Sequence, residues 1–320
     1  MSDAKDWNDR LRDGTMPGDP EDECELVSAP APKLRRISDA FGAGVQMLMK
    51  GKPVNPLLSG FLDLDKGLRQ FGAGQVSMLA ADSGVGKSTL ATQFALHAAT
   101  TGQGVVYFNL EMSEEMYGLR TGSNFTKLPM RDVIGGEITN NQFSDLLGGL
   151  KRLATAAHGC VLGNSSDHRT IPAIKKLCAE AEVELLGEGK PLKLIVIDHI
   201  LQVLVNVKND KDGEGKARAD LTKELAEKHK CHVLALVHVT RDAAKSGKMP
   251  TKDEMASTQW FSRHADNILV FHQKRTPEGI FEKGTKAKLA CQKSRWGEPF
   301  AVELDYQSGF FYPWNLGGGE

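Results

Sequence analysis

The sequence predicts an α/β domain built on a mostly parallel central sheet. Apolar runs typical of buried strands alternate with segments of helical spacing from about residue 59 onward. The run LKLIVI at 192–197 is almost continuously apolar, as expected of a strand covered on both faces. Another run leads into a glycine-rich turn that carries a lysine and a serine. Because ligands bind beyond the carboxyl ends of strands in such sheets, we expect a phosphate site at that edge.

Local patterns define the individual elements. Pro172 stands where the first turn of a helix tolerates proline, so a helix is expected to begin near Ile171. We expect strands at 76–80, 104–110, 160–162, 192–197, 232–239, 267–271, 287–291 and 300–304. We expect helices after the glycine-rich turn and at 113–122, 171–186 and 216–230, with more helix and turns across 123–157.

Three regions differ in composition. Residues 1–36 are predicted to be an acidic flexible arm, since the first 30 residues hold nine acidic and three basic side chains. Residues 37–58 are predicted to form a short linker helix and a turn, because apolar residues recur at helical spacing from Ile37 to Met49. So short a helix must pack on its own domain or on a neighbouring subunit. Residues 59–320 are expected to form the α/β domain.

The composition argues against several classes of protein. The net charge is −1, but the chain beyond residue 30 is mildly basic, which suits either a nucleic-acid partner or an ordinary solvated surface. The five cysteines form no C-x-x-C pair, so neither a zinc ribbon nor a disulfide framework is expected. We expect a cytoplasmic protein with no membrane partner, because neither a signal-peptide pattern nor a run of roughly 18 apolar residues occurs.

The glycine-rich turn is the most informative motif. The strand run at 76–80, the sequence ADSGVGKST and a helical pattern follow one another directly. In this order they form a phosphate cradle, with Lys87 on the β and γ phosphates and Ser88 on Mg²⁺. Ala81 stands where the strict pattern has its first glycine, so a chance glycine-rich turn is the alternative. The predicted nucleotide-binding residues are Ser83, Gly84, Val85, Gly86, Lys87, Ser88 and Thr89.

Two acids and a histidine end apolar strands at the same expected edge. Glu111 follows VVYFNL and Asp198 follows KLIVI. We assign the metal role to Asp198 and the general-base role to Glu111, with capping of the next helix as the alternative for each. His238 ends a later strand, where it would contact the γ-phosphate or be an ordinary hydrogen-bonded histidine.

Further cations follow predicted strands. The loops 206–218 and 240–252 offer basic residues to a nucleic-acid backbone, although a solvated surface explains them equally well. Lys293 and Arg295 in QKSRWG alternate onto one face with no obvious internal acidic partner. The residues alone favour surface charge, and the alternative is a pair that reaches a neighbour's nucleotide, as an arginine finger does. The candidate DNA-contacting residues are Lys208, Lys211, Lys216, Arg241, Lys245 and Lys248.

Several of these segments form a familiar series. SGFLDLDKGL, ADSGVGKST, NLEMS, IVIDHI, VHVTR and QKSRWG occur in this order across about residues 59–312. They resemble the RecA-like helicase domain of DnaB-type replicative helicases, most nearly that of phage primase-helicases and the mitochondrial Twinkle helicase. The resemblance implies a RecA-like P-loop NTPase that hydrolyses ATP or another NTP with Mg²⁺. It also implies a ring, usually a hexamer, that moves 5′ to 3′ along single-stranded DNA.

The resemblance also implies roles for single residues. Lys87 and Ser88 match the phosphate and Mg²⁺ ligands, Glu111 the catalytic base and Asp198 the metal-side acid. His238 falls at the γ-phosphate sensor, where many relatives have glutamine.

The cations and one aromatic residue match further positions of the family. Arg295 falls at the trans-acting finger, Lys293 at its partner cation, and Tyr306 at an aromatic residue that stacks on the base. Ser257 stands near a Ser-Gly of the second DNA-facing loop, which here spans 240–258 and departs from the usual glycine-containing pattern.

Partners and alternatives follow from the same resemblance. We expect no collar domain and no primase within residues 1–58, and the helix at 37–49 resembles the linker helix that packs on the adjacent subunit. Single-stranded DNA and further copies of the chain are the expected partners, with a primase, a polymerase or a single-strand-binding protein as candidates.

A RecA-type DNA-dependent ATPase without unwinding activity, recombinase-like or a regulatory ring, is the alternative function. A non-catalytic loader is a third, which the intact Glu111 argues against.

Overall fold

The computed structural model describes the α/β domain in seven stretches. These are residues 56–68, 71–163, 166–206, 210–256, 258–274, 286–307 and 309–314. In the N-terminal unit, Met1–Val54, it describes only residues 37, 41, 45, 46 and 49. These five residues are helical and exposed, which agrees with a helix there. The predicted acidic arm lies outside the described residues.

The helices and strands of the domain alternate as the sequence predicts. The helices are α1 (Leu62–Leu68), α2 (Lys87–Thr100), α3 (Glu114–Thr126), α4 (Met130–Gly135), α5 (Asn140–Ala156), α6 (Ile171–Gly187), α7 (Lys211–His229), α8 (Arg241–Lys245) and α9 (Thr258–His264). The strands are β1 (Val76–Ala81), β2 (Gly104–Asn109), β3 (Cys160–Gly163), β4 (Leu192–Asp198), β5 (His232–His238), β6 (Asn267–His272), β7 (Ala287–Ser294), β8 (Phe300–Gln307) and β9 (Phe310–Tyr312).

One sheet contains all of these strands, in the order β3-β2-β4-β5-β1-β6-β7-β8-β9. In this sheet order, every neighbouring pair between β3 and β6 is parallel. Every neighbouring pair between β6 and β9 is antiparallel. The predicted mostly parallel sheet is therefore confirmed. β1 lies between β5 and β6, so the turn that follows it opens at the middle of the sheet.

The core occupies both faces of the sheet. Met78 and Ala80 of β1 belong to one buried cluster, and Leu79 and Ala81 belong to the other. Successive strand residues point to opposite faces, so a strand buried on both sides is apolar at nearly every position, and the buried Ser77 hydroxyl is hydrogen-bonded to His232 and Asn267. All six residues of β1 are buried, which holds the following turn on a rigid support.

Several elements differ from the sequence prediction, among them the helices α1, α8 and α9, which were not predicted. Helix α7 begins at Lys211 instead of residue 216, because the side chain of Asp210 accepts a hydrogen bond from the Gly213 N–H and caps it. Much of the predicted loop 206–218 is therefore helical. The short strand β9 was not predicted, since Phe310–Tyr312 is too brief to show a period. Among the described residues, no helix is long and apolar enough to cross a membrane.

Candidate nucleotide-binding site

The turn between β1 and α2 has the geometry of a phosphate loop. Gly84 and Gly86 both have positive φ, 74° and 101°, a region that favours glycine. A Cβ on Gly86 would also lie 2.7 Å from the ring of Phe311. Lys87 is the first residue of α2, so the N–H groups of the helix start face the turn. The chance-turn alternative does not explain this combination of strand, left-handed glycines and helix.

A cavity of 360 Å³ lies over this turn. It brings together most of the predicted phosphate-binding residues with the predicted base and sensor. Its lining residues are Ser83, Gly84, Gly86, Lys87, Ser88, Glu111, Met112, Arg120 and His238. Val85 and Thr89 are buried instead, so any contact they make with a phosphate is through the backbone.

Lys87 and His238 are in direct contact at the floor of the cavity. Lys87 Nζ lies 3.3 Å from His238 Nδ1. Burial lowers the pKa of Lys87, while the nearby carboxylates of Asp198 and Glu111 oppose that shift. Burial and the Lys87 ammonium likewise lower the pKa of His238, which favours a neutral imidazole that accepts from Lys87.

Asp198 and Ser88 form a pair suited to Mg²⁺. Asp198 is the last residue of β4 and is 1% exposed. Its Oδ2 accepts a hydrogen bond from the Tyr107 hydroxyl at 3.1 Å, and burial raises the pKa of the carboxyl against the opposing effects of Ser88 and Lys87. Within the described part of the chain, Oδ1 is buried with no hydrogen-bond partner. A buried carboxylate oxygen left in this state beside a serine hydroxyl fits a hard cation.

The turn after β2 presents Glu111 to the cavity. The Leu110 N–H donates to the Asp198 carbonyl at 2.7 Å, and the Asn109 side-chain amide donates to the Met112 carbonyl at 3.0 Å. Glu111 is exposed between these anchors. Ser113 caps α3, so the helix-cap alternative for Glu111 does not hold. The turn after Asp198 has His199 at its cap position, which removes that alternative for Asp198 too.

His199 adds a second imidazole that the sequence analysis did not assign. Its ring lies 4.6 Å from that of His238, and burial lowers its pKa to about 4. One ligand atom each of Glu111, His199 and His238 lies within 4.8 Å of the others. The Lys87 ammonium beside His238 opposes another cation at this position. We therefore regard this cluster as part of the phosphate site.

A second cavity of 300 Å³ adjoins the C-terminal end of α3. Tyr306, Asn124 and Pro129 are among its lining residues. The Tyr306 ring lies 5.3 Å from that of Phe311, which itself packs against Gly86. Tyr306 is thus one ring removed from the phosphate loop, and its role in base stacking stays a prediction.

Arg120 is a site residue that sequence reasoning missed. It lies on α3, lines the cavity over the phosphate loop and is close enough to Tyr306 to lower the pKa of that phenol against the larger effect of burial. Arginine is suited to phosphate oxygens. Only the fold brings Arg120 to the loop, since it lies in a helix with no motif around it.

Arg295 and Lys293 lie beside the amino ends of the parallel strands, whereas the phosphate loop lies beyond their carboxyl ends. The Arg295 N–H donates to the Asp266 carbonyl, and the Asp266 N–H donates to the carbonyl of Val76, the first residue of β1. The phosphate loop follows the last residue of β1, roughly 17 Å away along the strand. The Arg295 side chain is 47% exposed. It is thus accessible to a neighbour but out of reach of its own phosphate loop.

One expectation about these cations was wrong. Arg295 has an internal acidic partner, because its guanidinium NH1 lies 3.0 Å from Asp266 Oδ1. The sequence did not show this contact because Asp266 precedes its strand, at the end of the sheet opposite the predicted site, and is distant from Arg295 in the chain. Lys293 Nζ donates to the carbonyls of Ser262 at 2.7 Å and Ala265 at 2.6 Å.

The candidate DNA-contacting residues are exposed where the structure describes them. Lys211 and Lys216 lie on the first turns of α7, and Lys216 Nζ is 2.8 Å from Asp220. Those of the second segment are Arg241, Lys245 and Lys248. Lys208 and Ser257 lie outside the described residues.

Comparison with known protein sequences agrees with this geometry. Residues 57–312 match the family described as DnaB-like helicase C terminal domain. The replicative DNA helicase DnaB of Leifsonia xyli subsp. xyli is 24% identical over 253 residues, which are 78% of this chain and 53% of that protein. The chain thus spans about half the length of the curated relatives it matches.

Two solved structures show the same fold. One is an isolated ATPase domain, which superposes with a TM-score of 0.76 at 15% identity and covers 87% of this chain and 99% of that one. The other is a DnaB-like replicative helicase studied for its interactions with primase, which gives a TM-score of 0.75 at 15% identity and covers 89% and 68%. These matches confirm the predicted RecA-like α/β fold.

Proposed function

The chain belongs to the DnaB-like helicase C terminal domain family, and from that premise we propose that it is the motor of an ATP-dependent replicative DNA helicase. The proposed motor is a ring. The family resemblance implies that the ring has six copies. It hydrolyses ATP or another NTP with Mg²⁺ and moves 5′ to 3′ along single-stranded DNA. One observation carries the proposal: Lys87 and Arg295 lie at opposite edges of one sheet. Head-to-tail contacts that bring these edges together form a ring when the rotation between copies closes, and the family resemblance favours that closed form.

Each phosphate contact has a residue in this chain to make it. The loop N–H groups and the N-terminus of α2 bind the phosphate oxygens, and Lys87 transfers its hydrogen bond from His238 to the β and γ phosphates. Bound between Ser88 and Asp198, Mg²⁺ would supply positive charge to those phosphates. Glu111 orients and deprotonates the attacking water. Arg120 contributes a charge from the same subunit.

The neighbouring subunit completes the site in this proposal. Its Arg295 and Lys293 equivalents approach the γ-phosphate and stabilise the charge that develops during transfer. Tyr306 stacks on the base beside the second cavity. Hydrolysis therefore depends on assembly, and a lone copy binds nucleotide without turning it over.

His238 links the γ-phosphate to the second DNA-facing segment. The Ala256 N–H donates to the His238 carbonyl at 2.8 Å, and the Thr240 N–H donates to the Glu254 carbonyl at 2.7 Å. Both ends of the 240–256 segment are thus tied to the end of β5. Loss of the γ-phosphate shifts His238 and with it the cations on α8, which changes the grip on a DNA strand.

The remaining expected partners belong to this proposal. Primase, polymerase and single-strand-binding protein are the candidates for a replication motor. Such a motor would work in the cytoplasm of a bacterium or of a phage-infected cell. The exposed apolar residues Ile37, Phe41, Val45 and Met49 suit a linker helix that docks on the adjacent copy.

Hydrolysis and strand separation, measured together on the full chain, test the proposal. We expect single-stranded DNA to stimulate NTP hydrolysis and a forked duplex with a 5′ tail to be unwound. A duplex with only a 3′ tail and the Lys87→Ala variant are the matched controls, and neither should give unwinding. DNA-stimulated hydrolysis with no strand separation would favour the RecA-type ATPase instead.

A further inference from the structure

We propose that Asp266 is a positioning residue that holds Arg295 ready for the neighbouring subunit's nucleotide. The inference rests on the proposed function, in which Arg295 acts in trans. Asp266 itself touches no nucleotide, because it is 1% exposed and lies at the edge of the sheet away from the phosphate loop. Its effect on hydrolysis therefore passes through Arg295.

Asp266 binds Arg295 and β1 at the same time. Oδ1 accepts from Arg295 NH1 at 3.0 Å, and the Asp266 carbonyl accepts from the Arg295 N–H at 2.9 Å. Oδ2 accepts from the Val76 N–H at 2.9 Å, and the Asp266 N–H donates to the Val76 carbonyl at 2.8 Å. Each neighbour is thus held by both the side chain and the backbone of Asp266.

These bonds fix an otherwise mobile side chain. An arginine loses considerable rotamer entropy when it is ordered, and a charge-assisted bond to a buried carboxylate meets part of that cost in advance. Nearly half of the Arg295 side chain remains exposed and can address an incoming phosphate. The Lys223 ammonium lies 3.8 Å from Oδ2, further than Arg295 is from Oδ1, so Arg295 is the closer partner.

The same short segment holds the second cation. Lys293 Nζ donates to the carbonyls of Ser262 and Ala265, so both cations are attached to residues 262–266. Residues 262–266 follow the second DNA-facing segment (240–258) within a few residues and contain the end of α9. The Trp260 indole on α9 donates to Asp212 of α7 at 2.6 Å, which connects α9 to the first of the two candidate DNA-facing segments, 206–218. The position of a bound DNA strand is thereby connected to Arg295 of the same subunit. Through Arg295 it is connected to the nucleotide of the neighbouring subunit.

Mixed oligomers separate this role from a structural one. Asp266→Asn keeps an acceptor for the Val76 N–H but removes the charge that holds Arg295. Alone, it should bind nucleotide normally and hydrolyse roughly tenfold or more slowly. Mixed with Lys87→Ala, which keeps its finger but lacks a working phosphate loop, it should recover hydrolysis. Lys223→Met removes the other cation beside Asp266 and is the control, with hydrolysis unchanged.

A double variant gives a second readout. If Asp266 acts through Arg295, Asp266→Asn should add nothing to the loss caused by Arg295→Ala. Normal hydrolysis by Asp266→Asn, no recovery in the mixture or a further loss in the double variant would each overturn the inference. If Asp266→Asn fails to bind nucleotide, Asp266→Glu is judged by the same criteria. Failure of Arg295→Ala to recover with Lys87→Ala would instead overturn the shared-site proposal.

Discussion

Lys87 and His238 share a hydrogen bond of 3.3 Å across the floor of the cavity, between the start of α2 and the end of β5. When a phosphate binds Lys87, the Lys87 ammonium donates to the phosphate and no longer to His238 Nδ1. The imidazole is then available to the γ-phosphate, and the 240–256 segment is tied to it through the His238 carbonyl. This exchange of partners is the simplest physical link between nucleotide state and the DNA-facing surface.

His238 should therefore control coupling more than nucleotide binding. We expect His238→Ala to keep its affinity for ATP within about threefold but to lose most of the stimulation of hydrolysis by single-stranded DNA. His238→Gln retains a polar group in the same place and should keep part of the stimulation. Hydrolysis rates with and without DNA, together with equilibrium nucleotide binding, measure both effects. Full stimulation in the alanine variant would remove His238 from the coupling route.

Asp198 should determine the Mg²⁺ requirement. Asp198→Asn removes the charge beside Ser88, so we expect the Mg²⁺ concentration for half-maximal hydrolysis to rise by about tenfold or more. The maximal rate should fall as well. Asp63→Asn, at an exposed acid paired with Lys66, is the control and should change neither value. An unaltered Mg²⁺ titration for Asp198→Asn would place the cation elsewhere.

Tyr306 should contribute to affinity through its ring. Tyr306→Ala removes a surface for base stacking, which is worth about 1–3 kcal/mol per base, so nucleotide should bind roughly 5- to 150-fold more weakly. Tyr306→Phe keeps the ring and its packing on Phe311 and should bind almost as well as the original chain. Titration with ATP and with its base-free triphosphate separates stacking from phosphate contacts. Equal affinities for Tyr306→Ala and Tyr306→Phe would contradict a base-stacking role.

His232 should make the fold sensitive to mild acid. It is buried between the Gly72 carbonyl and the Ser77 hydroxyl, and burial lowers its pKa to about 4 from its usual 6.5. The unfolded chain takes up a proton below pH 6.5 and the folded chain does not, so stability should fall between pH 6.5 and 4. The loss from this group is about 3 kcal/mol at most. In urea unfolding, the difference in pH slope between His232→Gln and the original chain isolates this contribution, and equal slopes would contradict it.

The sequence predicted what depends on short-range pattern. The strand at β1, the glycine turn and the start of α2 are contiguous, so their geometry follows from local chemistry. Asp198 and Glu111 were found because acids at the ends of apolar strands share one edge of a parallel sheet. The structure places both there, and their chemical roles stay predictions.

What the sequence did not predict depends on contacts between distant segments. Arg120 lines the phosphate cavity only through the way the fold places α3 beside the phosphate loop. The pair formed by Asp266 and Arg295 joins residues on either side of the β6–β7 hairpin, so no local pattern shows it. The first turns of α7 were predicted as loop because charged residues and glycines there concealed the cap at Asp210.

The central claim is that one subunit's phosphate loop works with the next subunit's Arg295. It is tested most directly by mixing equal amounts of Lys87→Ala and Arg295→Ala subunits, each with only residual hydrolysis alone, and measuring DNA-stimulated hydrolysis. Random assembly pairs an intact loop with an intact finger at roughly a quarter of the interfaces, so hydrolysis should return to up to that fraction of the original rate. A mixture as inactive as its two components would contradict the shared site.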